Sequence, residues 1–172
     1  MSAAAILTIL LAAVVQAQQR TPDIHYVPTP PEVVDAMLTL AGITARDVVY
    51  DLGSGDGRIV ITAAQKYGAR GVGLELDSTL VALAVANADT AGVSNRVSFR
   101  QADLFQTDLT PATVVTLFLS PSVNLRLRAK LMRELAPGTR IVSHRFGIGD
   151  WAPDEEVDVS GIKVYLWTIP GS

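Results

Sequence analysis

The 172-residue chain is 49% hydrophobic and 18% charged, which suits a single folded domain and excludes a disordered or fibrous chain. Fourteen Lys and Arg against seventeen Asp and Glu give a net charge of −3, so a globally basic nucleic-acid binder is excluded. The absence of cysteine removes disulfides, thiolate chemistry and Cys-type zinc sites, and two histidines are too few for a His-rich metal site.

Residues 1–20 read as an apolar leader and 21–172 as the folded domain. No side-chain charge precedes Arg20, and the apolar run over 3–15 is thirteen residues long, short of the ~20 that cross a bilayer. Val15-Gln16-Ala17 offers a small-x-small cleavage pattern before Gln18, but no Lys or Arg precedes the apolar run. A cleaved secretory signal and an uncleaved membrane anchor are both open readings.

Thr29-Pro30-Pro31-Glu32 predicts a helix start, with threonine as cap, proline in the first turn and Glu32 completing a capping box. Val33, Val34, Met37, Leu38 and Ala41 then share one helical face, and Gly42 ends it. Residues 47–52 read as a buried strand, followed by a glycine-rich turn over 53–57 and a helix running to Gly68. A second strand over 71–76, a helix over 78–90 stopped near Gly92 and a short strand over 97–100 come next. A very apolar, β-branched strand is expected over 112–119. The helix predicted over 122–136 carries Val123, Leu127, Leu131 and Leu135 at successive i+4 positions, and Pro137-Gly138 stops it. A strand over 140–145 precedes a closing hairpin, 155–160 and 163–169, around Gly161. Strand–helix alternation ending in an antiparallel pair predicts an α/β, Rossmann-like doubly wound sheet with one reversed strand. In such sheets ligands bind at the C-terminal ends of the strands, near the switch point.

The turn after the first strand is Asp51-Leu52-Gly53-Ser54-Gly55-Asp56-Gly57. Its alternating glycines let backbone approach a ligand closely. The dinucleotide fingerprint would need its third glycine at Arg58, so a pyrophosphate reading fails on register, and no G-K-[ST] follows for a Walker loop. An acid just before the first glycine suits a ligand bearing an ammonium group, such as the methionine part of S-adenosylmethionine. Glu75, at the end of the second strand, can accept from both ribose hydroxyls, and Asp103, after the third, from an adenine amino group. Gly53, Ser54, Gly55 and Gly57 of the turn, with Leu104 beside Asp103, complete the candidate cofactor site. Three carboxylates at the ends of consecutive strands around a glycine turn make coincidence a poor explanation.

On these residues the chain resembles the class I, seven-stranded S-adenosylmethionine-dependent methyltransferases. Tyr26-Val27-Pro28-Thr29-Pro30, the DLGSGDGRIV of 51–60, Phe118-Leu119-Ser120-Pro121 and the ELAPGTRIVSHRF of 134–146 resemble one branch more closely. That branch is the mitochondrial ATP-synthase c-subunit lysine methyltransferases and their bacterial and archaeal relatives, over roughly residues 25–169. The turn and Gly-x-Glu are also similar to the non-SET histone lysine methyltransferases. The resemblance implies strand order 3-2-1-4-5-7-6 with strand 7 antiparallel, S-adenosyl-L-methionine as cofactor, no metal, and a protein lysine as acceptor. It also implies membrane contact through residues 3–15. S-adenosylmethionine dependence favours a cytosol-facing domain, in tension with a secretory signal.

The acceptor end is less specific. Ser120 stands where many relatives carry an Asn/Asp-Pro-Pro-aromatic motif, and Asn124 is a second candidate to orient an amine. Tyr26 either faces the methyl-transfer channel or staples the first helix, and Thr29 either touches the cofactor's methionine end or only caps. His144 reads as a packed histidine rather than a base. The stripe Arg126, Lys130, Arg133 reads as a solvated face, and Trp151 and Trp167 as packing residues. The connections hold no insertion large enough for a lid, which fits a side chain presented by a macromolecule. A methyltransferase for a small molecule, lipid or nucleic acid and a non-catalytic cofactor-binding domain are the alternatives.

Overall fold

A computed structural model describes residues 26–171. The leader and His25 lie outside the described residues. In chain order the elements are α1 (Pro31–Leu40), β1 (Val48–Leu52), α2 (Arg58–Tyr67), β2 (Arg70–Glu75), α3 (Ser78–Thr90), β3 (Val97–Gln101), β4 (Val114–Leu117), α4 (Pro121–Glu134), β5 (Arg140–His144), β6 (Glu155–Val159) and β7 (Ile162–Thr168). They build one seven-stranded sheet of order β3-β2-β1-β4-β5-β7-β6, in which β7 runs antiparallel to both β5 and β6. The expected topology is the observed one.

The sheet is sandwiched between two apolar layers, as expected when both faces are covered by helices. One layer joins Val33, Met37 and Leu38 of α1 with Val60 and Ala63 of α2. The other joins Leu127 and Leu131 of α4 with Leu52, Leu117 and Ile141 of the sheet. Strand β1 pairs with β2 on one side and β4 on the other, so the strand order reverses there and a crevice opens beyond their C-terminal ends. Trp167 is buried, and its Nε1–H donates to the Trp151 carbonyl at 2.9 Å, tying the closing hairpin to the loop before it.

Three local expectations are corrected. The capping box at α1 does not form: Pro30 is the N-cap residue, with no side-chain cap bond. The extended chain before it turns the Thr29 hydroxyl to His144 instead, at 3.2 Å. Strand β4 is shorter than 112–119, because Phe118 and Leu119 leave the ladder to line a cleft. The Arg126–Lys130–Arg133 stripe is not a uniformly solvated face. Lys130 is buried with its ammonium 2.7 Å from Glu134, whose Oε2 also accepts the Leu109 N–H at 3.3 Å. Glu134 draws this cation inward to satisfy a buried turn.

Gly71 sets how closely α2 rides on the sheet, since a Cβ there would lie 2.6 Å from the Val60 Cβ. Gly71→Val is expected to cost about 1–3 kcal/mol of stability through overpacking, read as a lower urea midpoint with an unchanged slope.

Candidate active site

The glycine turn closes back on its neighbour strand. The N–H groups of Gly53 and Ser54 both donate to the Leu74 carbonyl, at 2.8 and 2.9 Å, which bends the chain out of β1 in a tight loop. Gly53, Gly55 and Gly57 sit at φ of 82°, 52° and 81°, a left-handed region that side chains disfavour. The space is as restrictive as the dihedral: a Cβ on Gly55 would strike the ring of Tyr26. Gly57 is the N-cap residue of α2, and a Cβ there would lie 2.5 Å from Phe99.

Asp51 of β1, Glu75 at the end of β2 and Asp103 after β3 line one cleft of about 310 Å³ beside the loop, together with Asp56 and Asp77. Glu75 is fixed by backbone amides: Oε2 accepts from Gly55 at 3.0 Å, and Oε1 from Leu76 at 2.7 Å and Asp77 at 3.1 Å. An ionised carboxyl has about four acceptor directions, so this one is rigidly aimed with capacity left for a ligand hydroxyl. Asp103 Oδ1 accepts from the Phe105 N–H at 2.8 Å, and the Asp103 carbonyl accepts from Gln106 and Thr107, so the post-β3 turn is held by the same residue.

Asp51 is the unusual member. It is 2% exposed and accepts a hydrogen bond from Thr116 Oγ1 at 2.7 Å, with no cation beside it among the described residues. Burial pushes its carboxyl up to about 7, the Thr116 bond opposes this, and the charges of Glu75 and Asp56 add to the rise. A buried carboxylate of this kind is completed by a ligand cation. The Ser54 hydroxyl beside it is also buried without a partner. These groups fit an S-adenosyl ligand: a counter-charge for its ammonium at Asp51, an aimed acceptor for its ribose at Glu75, and acceptors with an apolar wall for its base at Asp103 and Leu104. No group of side chains that could hold a metal ion occurs among the described residues.

The sequence candidates divide between the cleft and its frame. Tyr26, Thr29, Asp51, Gly53, Ser54, Glu75, Asp103 and Leu104 line the cleft. Gly55 lies under Tyr26, and Gly57 lies behind, against Phe99. Ser120 and Asn124 are outside the lining. Ser120 caps α4, its Oγ accepting from the Val123 N–H at 3.4 Å. Asn124 is fully buried and donates to the carbonyls of Phe146 and Gly147, at 3.3 and 3.1 Å.

Asp56, Arg58 and Phe118, present in the sequence motifs but not among the site candidates, also line the cleft. The Asp-x-Arg spacing is visible in the chain, but it gains meaning only when the segment before α1 folds across it. Phe118 packs on His144 with ring centroids 3.7 Å apart. Burial, then the charge of Arg145, pushes His144 down to about 4, so it is a neutral packing partner at physiological pH.

Known proteins share this arrangement. The ANTKMT methyltransferase domain model matches residues 51–155. A protein-lysine N-methyltransferase of Saccharolobus islandicus is 45% identical over 153 residues, spanning 86% of this chain and 95% of its own. The human ATP synthase c-subunit lysine N-methyltransferase is 38% identical over 127 residues, or 74% of this chain, which spans only 53% of that relative. The crystal structure of a Salinibacter ruber RNA methyltransferase with S-adenosyl-L-homocysteine superposes with a TM-score of 0.84 at 60% identity, covering 85% of this chain and 95% of that one.

Since Asp51 is raised from 3.8, its contribution to folded stability is full below that value and is lost as pH rises through about 7. Thr116→Val removes the opposing hydrogen bond. The Asp51 carboxyl carbon, followed by NMR across pH, is expected to titrate near 7 in the parent and higher in the variant.

Proposed function

The chain belongs to the ANTKMT methyltransferase family, and we propose that its acceptor is the ε-amino group of a lysine presented by another protein. It is an S-adenosylmethionine-dependent methyltransferase of class I fold. The cofactor, when bound, supplies a methyl group activated by a sulfonium centre. The chain's own residues do the rest by positioning. Asp51 neutralises the ligand ammonium, Glu75 and Asp103 fix its sugar and base, and the glycine turn lets the backbone lie alongside it.

The observation that carries the lysine reading is the charge of the cleft. Among the described residues its lining includes Asp51, Asp56, Glu75, Asp77 and Asp103 against a single cation, Arg58. Asp51, Glu75 and Asp103 serve the cofactor and Asp56 is paired with Arg58, so what the net acidic lining contributes to acceptor choice is repulsion of a phosphate-bearing substrate. Free lysine has a pKa of ~10.4 and no lone pair when protonated, so the site must take the neutral amine. Phe118, Leu119 and Val123 give the cleft an apolar stretch where desolvation favours that form. No general base is needed, and the neutral His144 is committed to Thr29. Relatives named as lysine methyltransferases, archaeal and mitochondrial, agree with this reading.

RNA is the second reading, favoured by the likeness to the Salinibacter RNA methyltransferase. One experiment separates the two. With a methyl-labelled cofactor and a cell lysate, the label is expected to be lost to protease and retained through nuclease, with one-methylene mass steps on lysine. Label removed by nuclease would reject the lysine acceptor and leave the methyltransferase intact.

Glu75→Ala leaves the ribose hydroxyls without their acceptor. Affinity for S-adenosyl-L-homocysteine is expected to fall at least about tenfold by calorimetry, with circular dichroism unchanged.

A further inference from the structure

Residues 26–30 belong to no helix or strand, and Tyr26, Val27, Pro28 and Thr29 form part of the cleft's wall. Two of the holds on this segment converge on the Asp56–Arg58 pair. Arg58 grips Asp56 with a fork, Nε to Oδ1 at 2.9 Å and Nη2 to Oδ2 at 2.6 Å, and its remaining arm, Nη1, donates to the Thr29 carbonyl at 2.9 Å. The Tyr26 hydroxyl is hydrogen-bonded into the same pair. Thr29 has a second hold, its hydroxyl on His144 at 3.2 Å. Asp56 is itself anchored from behind, its carbonyl accepting from Asn87 Nδ2 of α3 at 2.9 Å.

Helix formation does not account for the choice of residue. Arg58 is the first residue of α2, where a cation opposes the helix dipole, and no acid stands in the helix's first turn. It also occupies the position at which a dinucleotide-binding turn would carry glycine. The pair is substantially shielded, with side-chain exposures of 33% for Arg58 and 14% for Asp56, so it is not an ordinary surface ion pair. Burial pushes the Asp56 carboxyl up, yet the Arg58 bonds and charge outweigh it and hold the group below the usual carboxylate range. A guanidinium can hold a carboxylate with two donors and a carbonyl with a third, which an ammonium cannot do in fixed geometry.

We propose that the Asp56–Arg58 pair is a positioning device that fastens the 26–30 segment into the cleft's wall and thereby sets how slowly the cofactor leaves. Arg58 acts through the segment, by its bond to the Thr29 carbonyl and through Tyr26. It rests on the cofactor alone, so a lysate experiment that rejects lysine leaves it standing.

The test uses the full chain with S-adenosyl-L-homocysteine as probe. Arg58→Met is expected to raise the dissociation rate about tenfold in stopped-flow displacement while leaving the association rate nearly unchanged. Relaxation-dispersion NMR on the Val27 and Thr29 amides is expected to show a larger open population in the same variant. Arg58→Lys keeps the charge and loses the fork, and carries the same two measurements if the methionine variant does not fold. An open segment with an unchanged dissociation rate would overturn the proposal. Faster dissociation with an unperturbed segment would overturn it as well, because Arg58 would then act on the ligand directly.

Discussion

The site depends on one buried carboxylate that the protein does not neutralise. Asp51 is the next-to-last residue of β1, flanked by Gly73 of β2 and Thr116 of β4, and the Thr116 hydroxyl is its one hydrogen-bond donor among the described residues. A domain that sought only stability would place an apolar residue there, since an uncompensated buried charge is costly. The rest of the site follows from keeping it. The strand order reverses at β1, which leaves room beyond its end for a ligand, and the glycine turn lets that ligand approach the backbone. Glu75 is held in a fixed orientation by three amides.

The frame around this centre is rigid where the cofactor is held and built from different parts where the acceptor arrives. In the proposed site the cofactor's contacts come from the ends of β1, β2 and β3, whose pairing fixes their relative heights. The acceptor end we propose is assembled from the 26–29 segment and the exit of β4, which line the cleft, backed by the exit of β5. There Phe118 lies between His144 and Phe146, with ring centroids at 3.7 and 6.5 Å. Asn124 supports that layer from below by tying down the Phe146 and Gly147 carbonyls. Proteins with this frame can therefore share a cofactor site and differ in acceptor.

Much of this is legible in the chain. Helix α3 falls on the expected residues because an aspartate N-cap and Gly92 bracket it. The sheet order follows from alternation and one reversed hairpin. The carboxylates of the cofactor site stand out because each sits at the end of a strand that can be read independently. What escapes has a common physical reason, which is that it depends on long-range contact. Thr29 reads as a cap because capping is local, whereas its partner His144 is 115 residues away. Lys130 reads as solvated because the buried turn that recruits its partner Glu134 lies 25 residues before that glutamate, at Leu109. Arg58 reads as a missing glycine, because the carbonyl it holds belongs to a segment on the far side of α1.

The most direct test of a carboxylate awaiting a cation is the proton it gives up. Near pH 6, about one unit below the value of about 7 for Asp51, the free site is mostly protonated, and a ligand ammonium drives ionisation. Calorimetric binding of S-adenosyl-L-homocysteine at that pH, repeated in buffers of different ionisation heat, is expected to show release of close to one proton, fading in alkaline buffer. No release, or proton uptake, at the acidic pH would contradict the account.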